Sequence, residues 1–294
     1  SCGVGSAKKV MEGTGMDQML EDYGVAIVDF NEGSTVSYPQ GHTAKEFFLA
    51  KPVQETDALI NLCKMKTHAL ERVTGGVKNL YGCISGLHKA KGHTKYTNAD
   101  IFARQLIDLN QLIKPRFCVM DGIVAMDGNG PTSGDPVKMK VLLLGNDPVA
   151  IDSVYCHLVH LDPQMVPTNV HGETMGLGTW REENIRLLTD GGEITMQEAV
   201  ERFGNPDFNV DRKKQRGDLW NRFNNGFLRY FQKKPYIEAD KCKKCGVCVE
   251  ACPVEGKALQ FKNGRRKPPV YNYHKCIRCF CCQEMCPHKA IQVK

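Results

Sequence analysis

The sequence predicts an α/β fold: a parallel-sheet domain over residues 1–205, a basic and aromatic connector over 206–236, and a small cysteine-rich α+β domain over 237–294. Three observations carry this. Short apolar runs alternate with helical stripes through the first part of the chain, the pattern of strands covered by helices. Eight of the 14 cysteines fall in a repeated pattern near the C-terminus. Charge also divides the chain: from Lys233 onward 14 Lys or Arg stand against 5 Asp or Glu, whereas the rest holds 25 and 28.

The 294 residues leave room for two domains, and 41% hydrophobic with 24% charged residues is ordinary globular composition. No apolar run approaches the roughly 18 residues of a membrane span, which argues against an integral membrane protein. The chain opens SCGVGSAKKV, with neither an initiator Met nor an apolar leader, so it reads as the continuation of a longer chain and as cytoplasmic.

Val25–Phe30, Ala58–Cys63, Phe117–Met120 and Val141–Leu144 read as buried strands. Asn98 to Ile113 repeats apolar residues at Ile101, Phe102, Leu106, Leu109 and Leu112/Ile113, a helical stripe. Asp147 before Pro148 is an N-cap and first-turn signal for a helix through about Val159. Thr195 and Glu198 form a capping box, and Gly204 ends that helix. Cys63, Cys118 and Cys156 lie in apolar surroundings and read as small buried hydrophobes.

Two loops look chemical. Lys64-Met65-Lys66-Thr67-His68 closes a strand and is followed by Thr74-Gly75-Gly76-Val77-Lys78. Ligands of open α/β sheets bind beyond the carboxyl ends of strands, and Gly-rich turns opening helices can present N–H groups to anions. Lys66, His68 and Lys78 would suit a phosphate or carboxylate; solvated lysines on a Gly-rich turn are the competing reading. Asp121 and Asp127 flank the second loop, where cation binding or acid–base work competes with plain turn chemistry. In the connector, Trp220, Phe223, Phe227 and Phe231 recur at near-helical spacing among basic residues. Packing of the small domain onto the large one fits better than a membrane surface or nucleic-acid stacking.

The cysteines are the most specific signal. Cys242, Cys245, Cys248, Cys252 and Pro253, then Cys276, Cys279, Cys282, Cys286 and Pro287, both read C-x2-C-x2-C-x3-C-P. Three thiolates at intervals of three wrap one face of a [4Fe–4S] cube, and the fourth reaches the other cube. This predicts Cys242, Cys245, Cys248 and Cys286 on cluster one, and Cys276, Cys279, Cys282 and Cys252 on cluster two. Zinc sites join two separated pairs and have no use for the third Cys. Cys281, between ligand positions, reads as a packing residue. Two cubes at about −2 each would offset part of the local positive surplus, which argues against nucleic acid as its partner.

Ile237 to Val293 resembles bacterial-type two-cluster ferredoxins, so the last domain is expected to be ferredoxin-like and to work in a reducing, anaerobic cytoplasm. KMKTH, TGGVKNLYG, DGIVAMDGNGPTSG and NDPVAIDSV resemble the family called domain of unknown function 362 over nearly the whole chain. That resemblance implies an α/β architecture with an appended two-cluster module, and a strand-helix-strand region before the part matching Ser1–Gly15. His68, Gly75-Gly76 and Lys78 are similar to a segment of lactate racemase that serves a nickel-pincer nucleotide. The likeness implies that Lys78 anchors a cofactor or substrate and that His68 transfers protons.

The leading reading is an iron–sulfur redox protein, an oxidoreductase, carrying electrons through two [4Fe–4S] clusters to a reaction or partner at the α/β domain. It takes a redox partner protein and an anionic organic cofactor or substrate near Lys66, His68, Thr74, Gly75, Gly76 and Lys78. The alternatives are an electron-transfer or scaffold subunit without its own catalysis, and a racemase-like enzyme with structural clusters.

Overall fold

In a computed structural model, residues 7–85, 88–89, 92, 95–96, 98–213, 233–262 and 264–294 are described. The chain starts with helices α1 (Ala7–Thr14) and α2 (Met16–Asp22), then a hairpin of β1 (Gly33–Ser37) and β2 (Glu46–Ala50) and the short helix α3 (Lys51–Glu55). The main sheet holds β3 (Ile60–His68), β4 (Arg72–Thr74), β5 (Phe117–Asp127), β6 (Asp135–Val137) and β7 (Val141–Gly145). Its parallel pairing is β3 on β5; β4 pairs β3, and β6 and β7 pair β5, all antiparallel. The crossover between β3 and β5 runs through α4 (Gly76–Asn79) and α5 (Ala99–Ile113), so the α/β class holds.

The strands predicted as buried are buried on one face only. In β3, Cys63 and Met65 face the core while Ile60 is 61% and Leu62 70% exposed. Leu142 and Leu144 do the same in β7, because the helices cover one side of the sheet among the described residues. Val25–Phe30 is not a strand: no described strand pairs with it, and Val25 and Val28 are about half exposed. An apolar run becomes a buried strand only when a neighbour supplies hydrogen bonds and cover.

On the covered face lies α6 (Pro148–Leu158), N-capped by Asp147, whose carboxylate accepts from the N–H groups of Val149 and Ala150 at 2.8 and 3.0 Å. Its Tyr155 and Leu158 pack with Met65, Met120 and Phe208, all nearly or wholly buried. Each such side chain contributes roughly 1.5–3 kcal/mol by leaving water. The predicted stripe forms α5, capped by Asn98, with Phe102, Leu106 and Leu109 at 0% exposure. Then come α7 (Pro167–Thr174), the hairpin β8 (Leu187–Thr189) and β9 (Gly192–Ile194), and α8 (Met196–Phe203), which opens on the Thr195–Glu198 capping box.

The α/β core runs past residue 205: Phe208 is fully buried, and Arg212 donates to the carbonyls of Val159 and His160 at the end of α6. The aromatic stripe from Trp220 to Phe231 lies outside the described residues. The C-terminal domain is closed by β10 (Pro235–Ile237) on β13 (Ile291–Val293), with β11 (Leu259–Gln260) on β12 (Val270–Tyr271) and helices α9 (Val247–Glu250) and α10 (Cys281–Glu284) between.

Candidate functional site

The two cysteine motifs fold alike. Lys244 and Arg278 have φ of 57° and 58°, and Gly246 and Phe280 have φ of 90° and 61°. Left-handed residues two apart coil each loop tightly round its cysteines before α9 and α10 begin. Each fourth cysteine accepts a backbone N–H: Ala258 to Cys252 Sγ at 3.3 Å and Ala290 to Cys286 Sγ at 3.4 Å. Such donors stabilise electron-rich sulfur.

Cys242, Cys245, Cys248 and Cys286 line one cavity, so the fourth cysteine of the second motif sits with three of the first. Cys252 packs against Cys276, and the Cys276 thiol is raised by burial and by its neighbours Cys279 and Cys252. Burial and three neighbouring thiols push Cys248 up to about 12. Crowded thiols such as Cys248 and Cys276, which resist ionising side by side, become stable thiolates once a metal supplies positive charge, the donor chemistry of an iron–sulfur site. Cys281 is buried and its thiol hydrogen-bonds Cys279, behind that ligand position. The Tyr271 hydroxyl lies 3.2 Å from Cys282 Sγ, and its ring stacks on Tyr273.

Helix α10 docks on the α/β domain. Gln283, 0% exposed, donates from Nε2 to the carbonyls of Asn129 and Gly130 at 2.9 and 3.0 Å. Thr132 Oγ1 donates to the Glu284 carbonyl at 2.7 Å, and Asn129 Nδ2 to that of Ile291 at 2.9 Å. The second loop is therefore a docking loop. Asp127 accepts from Asn209 N–H at 2.8 Å, and Asp121 pairs with Lys64 and accepts from Ile123 N–H, so both carboxylates have partners within the chain.

A further cross-domain contact is His68 Nε2 to Glu284 Oε1 at 2.9 Å. His68 Nδ1 accepts the N–H groups of Leu70 and Glu71, both at 3.1 Å. An unprotonated Nδ1 leaves the proton of neutral His68 on Nε2, where it is donated to Glu284. Burial first, then Lys78, lowers the His68 pKa, keeping the ring neutral despite Glu284. Both ring nitrogens are thus engaged, and His68 is a docking group rather than one open to a ligand.

The Gly-Gly turn is also occupied. The Asp152 carboxylate accepts from Gly76 N–H at 2.6 Å and Val77 N–H at 3.1 Å. A Cβ on Gly75 would lie 2.1 Å from Asp152 Oδ1, which is why glycine stands there. The carboxyl group served by this turn is internal, so the Gly76 N–H is not free for a ligand.

Lys66 and Lys78 remain. Burial first, then the charges of Lys64 and Lys78, lowers the Lys66 pKa. Neither Lys66 nor Lys78 forms an ion pair among the described residues, although Lys64 has Asp121. Glu71 lies near Lys78, fully buried, with neither carboxyl oxygen hydrogen-bonded among the described residues. Burial raises its pKa to about 8, with Lys78 opposing, so it is largely protonated at neutral pH.

The family described as "Domain of unknown function (DUF362)" matches residues 1–157, more than half of the sequence. The chain belongs to the DUF362 family. A 4Fe–4S dicluster domain matches residues 234–287 of this DUF362 protein, so it carries an iron–sulfur electron-transfer module. The chain is similar to the "Thylakoid-associated protein sll1697" of Synechocystis sp., 36% identical over 193 residues, 65% of this chain and 60% of the relative. It therefore spans less than two thirds of the curated relative's length. Among the described residues no helix is long and apolar enough to cross a membrane.

Glu71, Asp152, Tyr271 and Glu284 were not singled out from the sequence. Glu284 lies within the second cysteine motif and Asp152 within NDPVAIDSV, but their partners His68 and Gly76 lie 216 and 76 residues away, beyond the reach of spacing.

Proposed function

We propose that this DUF362 protein is a two-cluster electron relay whose inner end serves an anionic acceptor in the α/β domain. Cluster one is held by Cys242, Cys245, Cys248 and Cys286, and cluster two by Cys276, Cys279, Cys282 and Cys252. The observation that carries the reading is the His68–Glu284 hydrogen bond. It ties the strand bearing Lys66 to the helix bearing Cys282, which favours an anion site between the two lysines and cluster two. When bound, the clusters supply single electrons, and the chain's own residues do the rest.

Lys66 and Lys78 are half-buried cations without carboxylate partners among the described residues, an arrangement that a bound anion relieves. Glu71, protonated in its apolar setting, holds a proton near Lys78 that can follow electrons onto the acceptor. The role is that of an oxidoreductase in a reducing compartment, taking electrons from a partner protein.

The test is a redox titration of the anaerobically loaded protein with and without saturating inorganic phosphate or a small dicarboxylate. A bound anion adds negative charge beside cluster two and should lower its potential while leaving cluster one nearly unmoved. Lys66→Gln and Lys78→Gln should abolish that response. An unchanged cluster two, or a response that survives both substitutions, would remove the anion site.

A further inference from the structure

We infer that the mouth of the cavity lined by Cys242, Cys245, Cys248 and Cys286 is the docking face for an acidic electron-carrier protein, which feeds the relay at cluster one. This rests on the two-cluster reading above and names the partner it needs.

The two thiol sets differ in access. Cys276 and Cys282 lie at or beside α10, which is covered by Asn129, Gly130 and Thr132 of the α/β domain. In the first set Cys242, Cys245 and Cys286 are only partly buried, whereas in the second only Cys279 is, and the first set's cavity is also lined by Lys243, Lys244 and His288, with no Asp or Glu in the lining. Arg265 lies over Gly246, its guanidinium nitrogen 3.1 Å from where a Cβ would stand, and above the Phe261 ring at 5.9 Å. Arg266 and Lys267 follow it, both exposed.

This basic rim exceeds what the clusters themselves require. From Lys233 onward 14 basic residues face 5 acidic ones. Two oxidised four-thiolate cubes remove about four of those nine positive charges and leave a surplus of about five. A surplus of one sign round a redox mouth attracts a carrier of the opposite sign and raises the encounter rate. Nucleic acid or an anionic membrane would also favour basic residues, but neither gives them a reason to ring the thiol cavity. The step itself is simple: one electron leaves the donor's reduced centre and enters cluster one, which passes from its oxidised to its one-electron-reduced state. No bond is made or broken and no proton moves.

The experiment is stopped-flow reduction of the loaded full chain by a photoreduced acidic [2Fe–2S] ferredoxin, with methyl viologen radical as a small cationic reference donor. The bimolecular rate with the ferredoxin should fall about tenfold between about 50 mM and about 500 mM salt, as Debye screening predicts. Arg265→Glu, and Lys243→Glu with Lys244→Glu, should slow that donor about tenfold at low salt without slowing methyl viologen. Lys51→Glu, on α3 and outside the basic rim, should do neither. Iron content and the visible spectrum show whether each variant keeps its clusters, and Arg265→Glu alone carries the test should the double variant lose iron. A rate indifferent to salt and to Arg265→Glu overturns the docking face. So does a basic face that binds DNA or anionic phosphatidylglycerol vesicles while ferredoxin reduces wild type and variants alike. A protein that methyl viologen cannot reduce at all refutes the electron-relay reading instead.

Discussion

Replacing Tyr271 by Phe should lower the potential of cluster two and leave cluster one in place. The Tyr271 hydroxyl lies 3.2 Å from Cys282 Sγ. A sulfur bound to iron carries no proton, so the tyrosine must be the donor. The hydrogen bond strengthens as the cluster gains an electron and its sulfurs become more negative, so it favours the reduced state. A hydrogen bond of this kind is worth about 0.5–1.5 kcal/mol net, and about 59 mV corresponds to 1.4 kcal/mol for one electron, so the loss amounts to roughly 20–60 mV. Redox titration followed by electron paramagnetic resonance reads both clusters. Tyr273→Phe is the control: the rings stack, but the Tyr273 hydroxyl donates to the Pro235 carbonyl at 2.8 Å and not to sulfur. Tyr271→Phe should move the potential and Tyr273→Phe should not. An upward shift, no shift, or equal shifts from both substitutions would refute the reasoning.

Three further outcomes follow from the same structure. Glu71→Gln should flatten the pH dependence of stability: the folded pKa of about 8 lies above the ordinary glutamate range, so the fold binds this proton more tightly than the unfolded chain. Stability is fully present below about pH 4 and is lost as pH rises towards about 8, by at most about 5 kcal/mol, and melting curves across that window check it. Cys252→Ala should deplete cluster two more than cluster one, which iron analysis and cluster-specific resonance signals distinguish; equal depletion would contradict the crossed ligation. Gln283→Ala leaves the Asn129 and Gly130 carbonyls without their donor and should destabilise the docked arrangement by about 1–3 kcal/mol, visible in denaturant unfolding.

What the sequence made legible was local. Asp147 caps the helix it was expected to cap, and Thr195 with Glu198 closes its box, because each signal is confined to a few adjacent residues. The cysteine motifs were legible for the same reason: spacing alone dictates a tight loop, and the matched left-handed residues at Lys244 and Arg278 follow. Burial was not legible for Val25–Phe30, since cover is supplied by elements elsewhere in the chain. Nor was the use of the Gly-Gly turn: the donors of Gly76 and Val77 are taken by Asp152, some 75 residues later. His68 drew attention as a strand-end histidine, but its partner Glu284 lies 216 residues away on another domain. Spacing locates chemistry-bearing residues and leaves their partners to the fold.

The most direct measurement is the iron and acid-labile sulfide content of the anaerobically loaded protein, taken together with its reduced-state resonance spectrum. The relay requires about eight iron and eight sulfide per chain, and a broadened spectrum from two cubes close enough to interact. Zinc in place of iron, or a full iron content with two non-interacting signals, would contradict it.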